Sequence, residues 1–163
     1  MEDVLPRFKG AIILSLIIAF VLTILPLRDN WILLRPEWIA LTFIHWALVS
    51  PSKSSLIVAW FMGLLIDVLY GSIIGQHALG FIIVLLMTLR MRSRLLVDSF
   101  FQQLFLLFVV LGTYLLINLW ILGITGTAPA GWGYWLTVIS SLIIWPFYHY
   151  YLSFFHATRK PFE

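Results

Sequence analysis

Six apolar segments take up most of the chain, at roughly 10–27, 31–49, 55–70, 77–89, 100–124 and 132–155. Runs this apolar must leave water, so their number and length decide what the chain can fold into. Crossing a bilayer core as a helix takes about 20 residues. The first, second, fifth and sixth segments meet that length. The third and fourth are shorter, and the uncharged link 71–76 between them either joins two short spans or dips into the membrane under protein cover. Composition agrees: 62% of the 163 residues are hydrophobic and 10% are charged, where a soluble domain has about 25% charged residues. No polar block is long enough for a second domain. The expectation is an all-α integral membrane protein, one transmembrane domain over residues 1–163 with about six transmembrane helices.

The basic residues supply an orientation. With alternating spans and an inner N-terminus, Arg7, Lys9, Lys53, Arg90, Arg92, Arg94, Arg159 and Lys160 fall inside, which is eight of the ten Lys and Arg. Only Arg28 and Arg35 fall outside. This bias predicts a multi-pass protein with both termini cytoplasmic. Arg90, Arg92 and Arg94 read as topology anchors that also touch anionic lipid, or as a protein dock. Trp31, Trp38, Trp132 and Trp135 gather near outer ends, where amphipathic rings favour the headgroup zone. The first segment lacks a small-residue cleavage pattern after Thr23, so it is expected to be retained.

Catalytic constellations are not apparent. There is no cysteine, and no serine sits in a Gly-x-Ser-x-Gly setting. His45, His77, His149 and His156 are scattered without a His-Glu-x-x-His pattern; His149 and His156, seven apart, fit one face of the last segment as interfacial histidines. Gly71, Gly75 and Gly80 do not match a dinucleotide fingerprint. Few basic residues, nearly all near segment ends, argue against nucleic-acid binding. Neither an enzyme, a metal site nor a bound cofactor is expected. Pro146, after Trp145, predicts a packing kink in the last segment.

Asp67 is the only carboxylate deep inside an apolar run. Gly63, Asp67, Gly71 and Gly75 recur every four residues, which on a helix makes one stripe drifting about 40° per step. Small residues let another backbone approach, so Gly63, Gly71 and Gly75 are candidate helix-packing or partner contacts. A carboxylate in such a place needs a partner. A structural ion pair, a contact to another subunit and a proton relay all fit. Depth points to one partner: Arg35 and Asp67 each lie sixteen residues from Pro51, about 24 Å along a helix. The expected pair is Arg35–Asp67, clamping the hairpin of the second and third segments.

Three stretches together carry a resemblance. They are Asp29-Asn30 through Arg35-Pro36 to Leu41, Trp46 to Pro51, and Gly63-Leu-Leu-Ile-Asp67-Val-Leu-Tyr-Gly71-Ser-Ile-Ile-Gly75-Gln-His77-Ala-Leu79. This combination resembles MreD, the rod shape-determining membrane protein family, most clearly over residues 26–80. His77 joins the candidate contacts as part of that string. The resemblance implies a non-enzymatic scaffold of the bacterial inner (cytoplasmic) membrane, in the complex that builds lateral peptidoglycan in rod-shaped cells. It implies MreC, MreB, the polymerase RodA and a class B penicillin-binding transpeptidase as partners. It also implies a fold similar to the substrate-binding subunits of energy-coupling-factor transporters. That likeness keeps open a second function, a small-solute-binding transporter subunit. Gln76, Thr113, Tyr114 and Asn118 are the polar candidates for a ligand, or for ordinary interhelical hydrogen bonds.

Overall fold

A computed structural model describes residues 5–26, 33–97, 100–127, 129 and 131–156. Arg28, Asp29, Asn30, Trp31, Arg159 and Lys160 lie outside them, as do the side chains of Arg7, Lys9 and His156. The described residues form an α-helical bundle. Its helices are α1 (Leu5–Ile24), α2 (Trp38–Val49), α3 (Leu56–Tyr70), α4 (Gln76–Val97), α5 (Phe100–Ile124) and α6 (Leu136–His156). Short 3-10 turns at Pro51–Lys53 and Trp132–Trp135 lead into α3 and α6.

Helix α2 is the axis of the bundle. Residues 39–48 are buried without a break, enclosed by α1, α4 and α6. It stops at Ser50 because Pro51 cannot donate to another helical turn and instead opens the 3-10 turn. A helix enclosed on every side must answer all its polar groups internally. Thr42 Oγ1 donates to Trp38 O at 2.8 Å, so the Tyr148 hydroxyl, 2.7 Å away on α6, is the donor to Thr42. Trp46 Nε1 donates to Ser15 Oγ of α1 at 2.8 Å. The ring nitrogens His45 Nδ1 and His149 Nδ1 meet at 3.1 Å between α2 and α6. Apolar packing alone would let α2 slide or rotate; these directional contacts fix its register.

Helices α3 and α4 pack at the closest range. A Cβ on Gly63 would strike the main chain of Ala78. Gly80 plays the same part between α4 and α5, since a Cβ there would sit 2.6 Å from the Tyr114 ring. Phe81 completes that contact by stacking on Tyr114, with centroids 5.5 Å apart and planes 8° from parallel.

The described helices overturn the expected span count. One of them, α5, is long and apolar enough to cross a membrane, with 25 residues and a mean hydropathy of 2.4. Helix α2 has 12 residues and α3 has 15, so they reach only about 18 Å and 22 Å. Helix α4 is longer, but it opens with Gln76-His77 and its last turns carry Arg90, Arg92 and Arg94. Tyr148, His149, Tyr150 and Tyr151 dilute α6. The expectations of about six transmembrane helices, and of a multi-pass protein with both termini cytoplasmic, are therefore corrected. The physical reason is that an apolar run marks burial as well as lipid contact, and α2 uses its apolar character inside the protein. Large apolar side chains still face outward, among them Phe101, Trp120, Phe147 and Phe154.

The arginine cluster also gains a local role. Arg92 Nε donates to Leu48 O at 2.9 Å. Leu48 lies in the final turn of α2, where carbonyls have no helical partner. Arg92 caps that end, while Arg90 and Arg94 are exposed on α4.

Candidate functional site

Asp67 sits in the last turn of α3 and is fully buried. Its carboxylate collects donors from the turn that follows. Oδ1 accepts from Ser72 Oγ at 2.8 Å, from the His77 backbone N–H at 2.9 Å and from His77 Nδ1 at 2.7 Å. Oδ2 accepts from the Gly75 N–H at 2.8 Å. A carboxylate has only acceptors, so the proton of this contact belongs on His77 Nδ1. Gly75 and His77 flank the start of α4, whose first N–H groups lack helical partners and carry partial positive charge. Asp67 therefore caps α4 from the neighbouring helix, and its charge is met where donors already point.

Arg35 and Asp67, paired by depth in the sequence, do not form an ion pair here. Among the described residues, Asp67 is bridged to His77. Depth counting treats the hairpin as two straight rods and overlooks donors five to ten residues ahead of Asp67. Arg35 instead turns to the end of α1. Its guanidinium donates to Thr23 O and Leu25 O, and to the Tyr70 hydroxyl at 3.3 Å. Tyr70 in turn donates to Thr23 O at 3.0 Å.

The four-residue stripe is not one helix face. Gly71 ends α3 in the left-handed region, with φ 62°, and its N–H returns to Asp67 O. Gly75 has φ 99°. Both glycines have open space where a Cβ would go, so backbone conformation, not close approach, requires them. Only Gly63 serves close helix packing, and its neighbour is within the chain. Gly71→Ala is expected to lose about 1–2 kcal/mol in a melting experiment, and Gly71→Asn less, because asparagine tolerates the left-handed region. Equal losses would count against a conformational role.

Beside this turn lies a cavity of about 250 Å³, lined by Glu37, Gln76, His77, Tyr114, Asn118 and Tyr134 among others. Glu37 reaches it because Pro36 and the N-terminus of α2 are held by a long-range bond, the Glu37 N–H to Ser141 Oγ at 2.9 Å. Gln76 Nε2 donates to Asn118 Oδ1 at 3.1 Å, and Asn118 Nδ2 donates to Tyr114 O at 2.9 Å. Three of the four polar candidates thus converge, while Thr113 Oγ1 bonds back to Val109 O on its own helix. A smaller cavity of about 50 Å³ lies on the other side of Glu37, His77 and Tyr114, towards Arg35 and Tyr70. Sequence reasoning missed Glu37; the signal available was a carboxylate two residues from Arg35 at a helix start.

His149 meets His45 across the bundle, while the expected partner position His156 has no described side chain. Among the described residues no cluster of three or more His, Cys, Asp or Glu is placed to hold a metal ion.

Comparison with known proteins follows the same residues. The rod shape-determining protein MreD of Haemophilus influenzae is 38% identical over 63 residues, which is 39% of this chain and 39% of that protein. The alignment thus spans well under half of that relative. No solved structure matches the chain. The family model described as rod shape-determining protein MreD matches residues 7–155. With nearly its whole length matched, the chain belongs to the MreD family of rod shape-determining proteins.

Proposed function

We propose that this chain is a non-enzymatic membrane component of the rod-shape system, a scaffold in the machinery that builds the lateral cell wall. The observation that carries this reading is the family match over residues 7–155. Two features of the molecule support a membrane scaffold. Helix α5 has the length and hydropathy of a crossing helix, and large apolar side chains face outward on α5 and α6, as lipid or another protein's helices would require.

The partner assigned first is MreC, held through helix contacts; MreB, RodA and a class B penicillin-binding transpeptidase join the same assembly directly or through it. In cells depleted of their own MreD, the chain is expected to restore rods and to bring MreC down in mild-detergent purification. Round cells despite normal amounts of folded protein would reject the scaffold role. Rods without recovered MreC would reject the partner.

A further inference from the structure

We propose that Arg90 and Arg94 form a docking surface for the headgroup of an anionic phospholipid. The inference rests on the membrane reading above and adds the lipid class that one end of the bundle selects.

The three arginines of α4 do different work. Arg92 is turned inward, with its Nε on Leu48 O. Arg90 and Arg94 are exposed, and among the described residues no carboxylate bridges either one. Asp98, four residues after Arg94, lies outside the described residues; counting it, the stretch 90–98 still carries a surplus of two positive charges. Residues four apart on a helix share a face, with Cβ atoms about 5–6 Å apart. Two guanidinium forks at that spacing can close on one phosphodiester, each giving paired N–H donors to its oxygens.

Depth selects a lipid over other anions. Helix α5 has 25 residues and is about 37 Å long, against a hydrocarbon core of about 30 Å. When it crosses, its ends stand at headgroup level. Only residues 98 and 99 separate α4 from α5, so Val97 lies within about 11 Å of Phe100. Arg94 and Arg90 then stand about 4.5 Å and 10.5 Å along α4 from its end, close enough for long side chains that extend to the surface.

Apolar groups lie exposed at the same end. Phe101 and Phe105, in the first turns of α5, are 82% and 63% exposed. Helix α6 runs towards this end too, because its Tyr148 and His149 meet Thr42 and His45 of α2 shortly before Leu48. Its exposed Tyr150 and Phe154 follow. Acyl chains would cover the phenylalanines, and Tyr150 suits the interface where amphipathic rings gather. An acidic protein segment would match the charge alone. Basic and apolar groups on separate helices at headgroup depth match a lipid surface.

The full chain in mild detergent, titrated separately with phosphatidylglycerol and phosphatidylcholine and read by native mass spectrometry, tests this. Wild type should bind phosphatidylglycerol roughly 10–30-fold more tightly, as two arginines at a charged surface supply. Arg90→Gln with Arg94→Gln should bring the two lipids to within about threefold. The Tm of that variant should stay within about 2 °C of wild type, because both side chains are exposed. Equal binding in wild type, or a full preference kept by the double variant, would overturn the proposal. So would displacement of the lipid by millimolar inorganic phosphate, or loss of MreC from the variant with its lipid preference intact, which would identify a protein dock instead. Entry into phosphatidylcholine nanodiscs needs no anionic lipid and so checks the membrane reading by itself. A chain that enters without preferring phosphatidylglycerol sinks the lipid site alone; one that stays outside sinks both.

Discussion

Asp67→Ala is expected to cost roughly 4 kcal/mol, since it strands four part-buried donors at about 1 kcal/mol each. Those donors are Ser72 Oγ, His77 Nδ1 and the backbone N–H groups of Gly75 and His77. Asp67→Asn keeps one acceptor oxygen but turns an amide NH₂ towards other donors, so it should recover only part of the loss. The sharper measurement is a pair of double-mutant cycles by melting in detergent. Asp67→Ala with His77→Ala should show a coupling above about 1 kcal/mol, because the groups touch. Asp67→Ala with Arg35→Ala should be additive within about 0.5 kcal/mol, because they share no direct bond. Stronger coupling to Arg35 than to His77 would contradict the geometry.

The second large effect belongs to Gly63. Its missing side chain is where the Ala78 main chain passes. A methyl group there cannot be absorbed by a rotamer change, because the obstacle is backbone. Gly63→Ala should therefore lose about 1–3 kcal/mol through overpacking, and Gly63→Leu should force α3 away from α4 and cost the folded hairpin. Gly112, on α5, offers the control. Nothing lies within 4 Å of its added Cβ, so Gly112→Ala should gain about 0.5–1 kcal/mol from helix propensity. Comparing the two Tm values separates packing from propensity. A wild-type Tm for Gly63→Ala would show that the helices are not held at this distance.

Much of the helix map was readable from hydropathy, because apolar runs and helices coincide when both end at the same breaker. The fifth segment, 100–124, matches α5, and 55–70 falls within a residue of α3. Hydropathy failed where side chains change character but the backbone continues. The fourth segment was closed at 89, whereas α4 continues through Arg90 and Arg94 to Val97. It failed again over how many helices cross a membrane, because hydropathy does not distinguish a helix facing lipid from one enclosed by its own neighbours.

At the site, the importance of Asp67 was legible and its partner was not. A glycine every four residues suits both a helical stripe and a helix ended by a left-handed glycine. The Ser72 and His77 donors beyond Gly71 were the clue to the second. The convergence of Gln76, Asn118 and Glu37 depends on how α2, α4 and α5 come together, which no local pattern encodes. The bond from Asn118 to Gln76 spans 42 residues.

The end of α1 has a consequence for the order of synthesis. Thr23 O and Leu25 O are answered by Arg35 and by Tyr70 rather than by a local cap. Tyr70 follows Thr23 by 47 residues. A nascent chain therefore carries α1 with Thr23 O lacking its second donor until the far end of α3 has been made. The first helix to be translated is among the later ones to be finished, and a chain interrupted before residue 70 holds an α1 whose end is tied by Arg35 alone.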